Sequence, residues 1–159
     1  MKLFADTLLD DLATQAAASP RQRAHLNVHE TAADPVQRFF VVARRGSYFR
    51  PHAHLSKAEL VIALRGRFEI LTFDPAGHVL GRYDIGEGAG QFAYEAESGT
   101  WHTIVALSDV CAFLEVKQGP YDPAVAVDFA PWAPAEGAPS VAGFQQWLRE
   151  ASVGGLYSP

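Results

Sequence analysis

The sequence predicts an all-β fold, an antiparallel sandwich or barrel, with one short helix at each end of the chain. Between about residues 27 and 117, short apolar runs recur at a spacing of roughly ten residues. Turn-forming sequences separate the runs, and Arg65-Gly66 and Asp74-Pro75-Ala76-Gly77 are the clearest of them. The expected strands are Phe39–Ala43, Ser47–His52, Glu59–Leu64, Phe68–Phe73, His78–Tyr83, Gln91–Tyr94, Trp101–Ala106 and Val110–Val116.

Both ends of the chain have a helical period instead. An apolar residue at every fourth position from Phe4 to Ala16 predicts a helix over residues 3–19, and Pro20 is expected to end it. Near the other end, the apolar stripe within Val141–Leu148 predicts a second helix, with Ser140 as its N-cap. We expect this stripe to pack against the barrel or a second subunit rather than to hold a cofactor.

The chain is expected to form a single domain. Its 159 residues are enough to bury a sizeable core, and no internal repeat is evident. We expect an N-terminal helix and arm over residues 1–26, a barrel over residues 27–120, and a Pro-rich arm with the C-terminal helix over residues 121–159.

Composition and charge exclude several classes of partner. The formal net charge is −5 and no run of basic residues is present, which argues against nucleic acid or an anionic membrane surface. No stretch approaches the roughly 18 consecutive apolar residues of a membrane span, and the first residues lack the apolar core of a signal peptide. The single cysteine, Cys111, allows no intrachain disulfide. We therefore expect a cytoplasmic protein.

The most informative segment has the pattern Gly46-x5-His52-x-His54-x4-Glu59-x6-Gly66. Two histidines that lie two residues apart on a strand point to the same face, because side-chain direction repeats every second residue. The carboxylate of Glu59, at the start of the next strand, can approach the same point and complete a set of nitrogen and oxygen ligands for one divalent metal ion. The alternative is that both histidines are polar residues on a solvated strand face.

A fourth ligand is expected from a later strand. His102 is the candidate, because Gly99 permits a turn before it and an apolar strand follows it. The other histidines are weaker candidates, since His78 follows a turn, and His25 and His29 precede the first expected strand. Three imidazoles and one carboxylate suit Fe, Mn, Ni, Co or Zn, and four protein ligands leave open positions on an octahedral ion.

At these residues the chain resembles the cupin superfamily. The segment from Gly46 to Gly66 fits the first cupin motif throughout, and Gly99 and His102 match the second motif. The second motif is only partly kept, because Glu97 stands where proline is usual and Ala106 where asparagine is usual. The resemblance implies a cupin jelly-roll β-barrel that holds a divalent metal ion.

More narrowly, the chain resembles the WbuC-like family of cupin-fold metalloproteins. This resemblance implies a link to bacterial surface-polysaccharide (O-antigen) biosynthesis, with which the family is often associated, but no particular reaction. The matching segments are Arg21-x-Arg23-x2-Leu26-Asn27, Asp34-Pro35-Val36-Gln37-Arg38, Arg50-Pro51-His52-x-His54, Leu64-Arg65-Gly66-Arg67, Gly99-Thr100-Trp101-His102-Thr103, Glu115-Val116-Lys117-x-Gly119-Pro120-Tyr121-Asp122-Pro123 and Phe129-Ala130-Pro131-Trp132-Ala133-Pro134.

Two further residues are expected beside the metal. Tyr48 and Arg50 have the same parity as His52 on the expected strand, so both side chains should point into the barrel. Arg50 is then a candidate clamp for a substrate carboxylate or phosphate, and Tyr48 is a second candidate substrate-binding residue. The alternatives for Arg50 are an ion pair with Glu69 or Glu115, or an escape to the rim of the barrel.

The last expected strand of the barrel carries two candidate catalytic residues, Glu115 and Lys117, on one face. Both faces of this strand begin with apolar residues, so the sequence leaves open which of them looks inward. If Glu115 and Lys117 point inward, they are candidate acid–base groups near the metal. Otherwise they form a solvated pair at the rim.

These observations predict a metal-dependent enzyme that acts on a small anionic or sugar-related molecule. The main alternative is a non-catalytic module that binds or senses a small ligand through the metal, and a structural metal that fastens the barrel is a third possibility. A proton-transfer group within hydrogen-bond reach of the metal would favour the enzyme. A homodimer is expected, because the C-terminal stripe and the Pro-rich arm offer surface for a two-fold interface.

Overall fold

The computed structural model describes residues 1–158 of the chain. These residues form two helices and ten strands, and neither helix is long and apolar enough to cross a membrane. The helices are α1 (Asp6–Ala18) and α2 (Val141–Glu150). The strands are β1 (Arg23–Asn27), β2 (Val36–Arg44), β3 (His52–Ala53), β4 (Glu59–Arg65), β5 (Arg67–Phe73), β6 (Val79–Gly86), β7 (Ala93–Ala96), β8 (Trp101–Ala106), β9 (Val110–Gln118) and β10 (Asp128–Phe129).

The strands form two antiparallel five-stranded sheets that face each other as a jelly-roll sandwich. The first sheet has the order β1-β2-β9-β4-β7, and the second sheet has the order β10-β3-β8-β5-β6. Most neighbours within a sheet are not consecutive in the chain, because the chain crosses repeatedly between the sheets, as in a jelly roll. The predicted all-β jelly-roll barrel with a short helix at each end is confirmed.

The interior between the two sheets is apolar at one end. Val61, Phe68, Ile70 and Phe113 are among its buried side chains. They come from β4, β5 and β9, where alternate residues face inward because side-chain direction has a period of two. Close packing at this end holds in place the same strands that carry polar residues at the other end.

Helix α2 packs on the outer face of the second sheet. Its Phe144 and Leu148 are buried in one cluster with Leu71, Phe73 and Val79. Of the two predicted roles of the apolar stripe, the chain uses packing against its own barrel. The stripe is one of the two surfaces on which the homodimer was expected to form, the other being the Pro-rich arm, and the homodimer stays a prediction.

Helix α1 covers the outer face of the first sheet. Its Leu9 and Leu12 pack with Phe40 and Val42 of β2. The division of the single domain at residues 26 and 120 stays a prediction, and Pro159, the last residue of the third expected segment, lies outside the described residues.

Three local predictions were wrong. The strands β1 and β10 were not predicted, because β1 is a largely exposed edge strand and β10 has only two residues. The expected strand Ser47–His52 is irregular as far as Pro51, and regular pairing begins only at His52. Ser140 precedes α2, but its side chain makes no capping hydrogen bond, since its backbone already lies in the helical region.

Candidate metal centre

Four side chains from both sheets meet at one end of the barrel. His52 begins β3 and pairs directly with His102 of β8 in the second sheet. His54 directly follows β3, and Glu59 begins β4 in the opposite sheet. One potential ligand atom from each of these residues lies within 4.8 Å of the other three. The structure thus brings together the four residues that the sequence predicts as metal ligands.

The second glycine of the motif has a structural role in this arrangement. Gly66 joins β4 to β5 with a φ of +71°, a conformation that residues with side chains rarely adopt. A Cβ atom at this position would lie 2.5 Å from the carbonyl oxygen of Val110. Any other residue would therefore displace β4, the strand that begins at Glu59, from its neighbour β9.

Backbone carbonyl groups orient the three imidazole rings. Nδ1 of His52 and Nδ1 of His102 each lie 2.9 Å from the carbonyl oxygen two residues earlier in the chain. Nδ1 of His54 lies 2.6 Å from the carbonyl oxygen of Ala126. Because a carbonyl oxygen only accepts hydrogen bonds, each Nδ1 carries a proton, and Nε2 is the atom of each ring that is left for another partner.

The Nε2 atoms of His54 and His102 are buried and have no hydrogen-bond partner within residues 1–158. Nε2 of His54 lies 2.8 Å from Oε2 of Glu59, and Nε2 of His102 lies 3.6 Å from Oε1 of the same carboxylate. Lone pairs that face each other at this range repel, unless a proton or a metal ion lies between them. A divalent metal ion would satisfy both the imidazoles and the carboxylate, so these residues fit the predicted group.

Burial and neighbouring charges set the protonation of these residues in the metal-free protein. Burial and the adjacent His102 lower the pKa of His52 to about 3, so this ring is neutral at neutral pH. Burial alone would raise the pKa of Glu59, but the adjoining imidazoles, first that of His102, and the Lys117 ammonium hold it well below its usual range. Burial alone would lower the pKa of His102, but its contact with Glu59 outweighs this and raises that pKa. A metal ion binds the neutral imidazole and the ionised carboxylate, so its uptake would release a proton held between them.

A cavity of about 220 Å³ opens beside these residues. Its polar lining consists of Arg23, Arg50, His52, His54, Glu59, Glu115 and Lys117. The rings of Phe49 and Phe129 are part of its apolar wall. An adjoining cavity of about 380 Å³ shares Arg23, Phe49, Glu115 and Lys117 with it. The two together offer room for a small polar molecule next to the candidate metal ligands.

Arg50 lines the 220 Å³ cavity and keeps donor groups that no atom of residues 1–158 uses. Its Nη2 donates to the carbonyl oxygen of Ala130 at 2.9 Å, and its guanidinium carbon lies 5.1 Å from the ring centroid of Phe129. Its Nε is buried and has no partner in the described part of the chain. Glu69, the partner considered as an alternative, pairs with Arg82 instead.

The sequence left open which face of β9 looks inward, and it is the face with Glu115 and Lys117. Both side chains line the cavity, and Nζ of Lys117 lies 2.5 Å from Oε1 of Glu115 and 3.4 Å from Oε2 of Glu59. Burial, and after it the charge of Glu59, raise the pKa of Glu115. Burial alone would lower the pKa of Lys117, but Glu115 and Glu59 outweigh it and raise that pKa. A coupled acid–base pair therefore adjoins the candidate metal ligands.

The prediction that Tyr48 points into the cavity was wrong. Tyr48 packs against Phe144 of α2, and its hydroxyl donates to the carbonyl oxygen of Pro134 at 2.9 Å. The expected alternation fails because residues 47–51 are irregular, so that the adjacent Phe49 and Arg50 both line the cavity. Tyr48 is a core residue that anchors the C-terminal segment.

The remaining three histidines lie outside the metal-ligand group found in residues 1–158. Nδ1 of His29 accepts a hydrogen bond from the backbone N–H of Arg38 at 3.0 Å. Nδ1 of His78 lies 2.9 Å from a carboxylate oxygen of Asp74. His25 lies on the edge strand β1 and lines the adjoining cavity. The weaker rank that the sequence assigns to these three agrees with their positions.

Sequence reasoning missed two residues of this region, Arg23 and Tyr94. Arg23 lies on β1, which was not predicted, and contributes to both cavities. Tyr94 lies in an expected strand, and its pairing with Val61 of β4 puts it on the inner face of β7. The sequence offers no signal for this face, because β7 has only four residues, too few for a clear alternation.

Among protein-family models, DUF6016, a domain of unknown function, matches residues 4–85, which is just over half of the chain. The chain belongs to this family. In this DUF6016 protein the matched part includes His52, His54 and Glu59, whereas His102 lies beyond it. A search of curated proteins finds no match.

Several solved structures share the fold of this DUF6016 protein. KdgF from Halomonas sp. has a TM-score of 0.51 at 19% identity, over 65% of this chain and 84% of its own. The capsular polysaccharide assembling protein CapF from Staphylococcus aureus has a TM-score of 0.56 at 17% identity, over 70% of this chain but 32% of its own. A sugar phosphate isomerase of the cupin superfamily from Silicibacter pomeroyi has a TM-score of 0.50 at 18% identity, over 61% of this chain and 59% of its own. At such identities the likeness shows the cupin fold alone.

Proposed function

We propose that this DUF6016 protein is a metal-dependent enzyme that acts on a small anionic or sugar-related molecule. The observation that carries the proposal is that three kinds of group border one cavity. They are three of the four candidate metal ligands (His52, His54 and Glu59), the guanidinium of Arg50, and the Glu115–Lys117 pair. Together they match the needs of metal-assisted catalysis, which are an ion, an anchor for the substrate and a group that moves a proton.

His52, His54, Glu59 and His102 would hold one divalent ion of Fe, Mn, Ni, Co or Zn. When bound, the ion supplies Lewis-acid polarisation of a substrate oxygen. The chain supplies preorganisation, because hydrogen bonds from each Nδ1 to a backbone carbonyl fix the orientation of the three rings.

Arg50 would bind an acid group of the substrate. Its planar guanidinium matches a carboxylate or phosphate, which accept two parallel hydrogen bonds from such a fork. Contacts with Ala130 and Phe129 hold the guanidinium in place before a ligand arrives. A substrate fixed both by Arg50 and by the ion would be held at two points, so that its reacting group is oriented.

The Glu115–Lys117 pair favours an enzyme over a binding module. Burial of two charged side chains costs several kcal/mol of stability, and a site that only binds an anion does not require this cost. Proton transfer does need such groups within hydrogen-bond reach of the reacting atoms. We assign Glu115 as the group that accepts a proton from the substrate and Lys117 as the group that stabilises the negative charge.

A role in surface-polysaccharide biosynthesis is the finer form of the proposal. It is supported by the resemblance to the WbuC-like family and by the names of two structural neighbours, a capsular polysaccharide assembling protein and a sugar phosphate isomerase. A cytoplasmic location and a homodimeric assembly belong to the same proposal, and light scattering tests the assembly.

Elemental analysis of untagged protein tests the metal, and a thermal-shift screen of sugar acids and sugar phosphates, with and without metal, identifies ligands. NMR spectroscopy then follows turnover of the compounds that bind. The variant Glu115→Gln should keep metal and ligand binding and lose about 10²–10⁴-fold in turnover, the usual size of acid–base catalysis. The control is Glu150→Gln, which removes an exposed carboxylate at the end of α2, away from these cavities, and should turn over like the wild type.

Two results would contradict the proposal in different ways. A wild-type protein that binds ligands through its metal but converts none of them would be a binding module. A wild-type protein that takes up none of the five metals at neutral pH would have no metal function at all.

A further inference from the structure

Tyr94 is a residue of the barrel interior that the proposed function does not use. On β7 it pairs with Val61 of β4, and Val61 pairs with Glu115 of β9. Residues that pair across antiparallel strands point to the same face, so the ring of Tyr94 enters the interior in the same row as Glu115. Glu59, two residues before Val61, belongs to the adjacent row on this face. Tyr94 therefore lies one row beneath the candidate metal ligands.

The hydroxyl of Tyr94 is buried and has no hydrogen-bond partner among residues 1–158. The ring centroid of Tyr94 lies 6.5 Å from that of His102, so the hydroxyl belongs to the surroundings of the candidate metal ligands. A buried hydroxyl without a partner is rare in folded proteins, because it gives up hydrogen bonds to water and receives none in return. Phenylalanine would fill the same space without this cost, so the hydroxyl needs a partner that the described chain does not provide.

A cavity separate from that of Arg50 reaches the same place. It has a volume of about 340 Å³, and its lining includes Tyr94, Thr72, Thr100 and His102. None of these four residues lines the cavity that contains Arg50. The candidate metal ligands therefore border two cavities. Arg50 lines one of them, and Tyr94 lines the other.

We propose that the hydroxyl of Tyr94 donates a hydrogen bond to an oxygen ligand of the metal ion, either a water molecule or an oxygen of a bound anion. This inference rests on the proposed metal site and adds Tyr94 to it as a positioning residue. A phenol carries its proton at neutral pH, and an oxygen that is bound to a cation is the acceptor missing from its surroundings. Tyr94 would thus orient a ligand from the row beneath the candidate metal ligands.

The test compares the wild type with Tyr94→Phe, both loaded with Co²⁺, whose visible absorption responds to the ligands around the ion. The variant should bind the same amount of Co²⁺ as the wild type, with a shifted spectrum. Its melting temperature without metal should equal or exceed that of the wild type, because the lost hydroxyl had no partner. The control is Tyr83→Phe. Tyr83 lines the same cavity but is 53% exposed, and its variant should keep the wild-type spectrum.

Acetate, added as a probe, separates the two sources of the oxygen. A spectral difference between wild type and Tyr94→Phe before acetate is added identifies water as the acceptor. A difference that appears only with acetate identifies an oxygen of the anion. Equal spectra and equal acetate affinity in both proteins, or a Tyr94→Phe variant that is less stable without metal, overturn the role of Tyr94 and leave the metal site intact. A wild type that takes up no Co²⁺ overturns the proposed function as well.

Discussion

Arg82 and Arg50 are both partly buried arginines of this barrel, but they differ in how fully their N–H groups are used. Nε and Nη2 of Arg82 donate to the two carboxylate oxygens of Glu69. Its Nη1 and Nη2 also donate to three carbonyl oxygens at the C-terminal end of α2. Arg82 thereby fastens α2 to the second sheet, and it satisfies carbonyl groups that a helix end leaves without a partner.

Arg50 donates to one carbonyl oxygen, and its buried Nε has no partner in the part of the chain that the structure describes. The buried Nε2 atoms of His54 and His102 share this condition. A buried polar group whose hydrogen-bond partners all lie within the chain stabilises the fold. A buried polar group that lacks such partners costs stability, unless a ligand supplies them. In the proposed function, this difference assigns Arg82 to the scaffold and Arg50 to the ligand-binding cavity.

The comparison predicts the largest effect on stability at Arg82, whose Nε, Nη1 and Nη2 all donate hydrogen bonds. The variant Arg82→Met leaves the partly buried carboxylate of Glu69 without a cation and the end of α2 without its donors. The free energy of unfolding should fall by about 3–5 kcal/mol, the usual cost of breaking a buried pair on one side. Urea denaturation measures this loss, and metal uptake by the folded fraction should be unchanged.

Arg67→Met is the matched control for this variant. Arg67 of β5 pairs with Asp84 of β6, on the same two strands as Glu69 and Arg82, but the side chains are 45% and 38% exposed. Removal of such an exposed pair should cost no more than about 1 kcal/mol. Equal losses of stability in the two variants would contradict the role of Arg82 as the residue that fastens α2.

The second prediction concerns the four candidate metal ligands and the metal ion that they would bind. At a free metal concentration of 100 times Kd, binding to the folded state alone should raise the free energy of unfolding of the wild type by about 2.7 kcal/mol. The variant His102→Ala should lose this gain, as should His52→Ala and Glu59→Ala. Urea denaturation in EDTA and in excess Zn²⁺ measures it. His78→Ala should keep the full gain, and a gain that survives in His102→Ala would exclude this residue as a ligand.

Three of the four candidate ligands were predictable because short-range geometry brings them together. His52 and His54 are two residues apart, Glu59 opens the next strand, and these local relations hold once the strands form. Tyr48 was mispredicted by the same rule, because it requires regular backbone and residues 47–51 are irregular.

Partners that are distant in sequence could not be predicted, for a different reason. Glu69 was considered as a partner of Arg50, yet it pairs with Arg82 because β5 lies beside β6 in the sheet. The inward face of β9 could not be predicted for a similar reason, since both faces of this strand are covered by packed elements and both begin with apolar residues. Only the sheet order decides which residues of distant segments meet, and local patterns carry little information about it.

The smallest effect on stability is expected at Arg50, where it should accompany a loss of ligand affinity. Arg50→Lys gives up the hydrogen bond to Ala130, so the free energy of unfolding should change by no more than about 1.5 kcal/mol, and metal uptake should be unchanged. Glycolate is a suitable probe, because it combines a carboxylate, for which Arg50 is the proposed anchor, with a hydroxyl that can bind a metal ion. An ammonium keeps the charge but not the planar fork, so loss of one of two parallel hydrogen bonds should weaken glycolate binding by roughly 2- to 10-fold. Calorimetric titration of the metal-loaded proteins measures this affinity, and Arg50→Met, which also removes the charge, should bind more weakly still. If Arg50→Lys binds glycolate as tightly as the wild type, or is destabilised as much as Arg82→Met, Arg50 is a scaffold residue and the contrast between the two arginines fails.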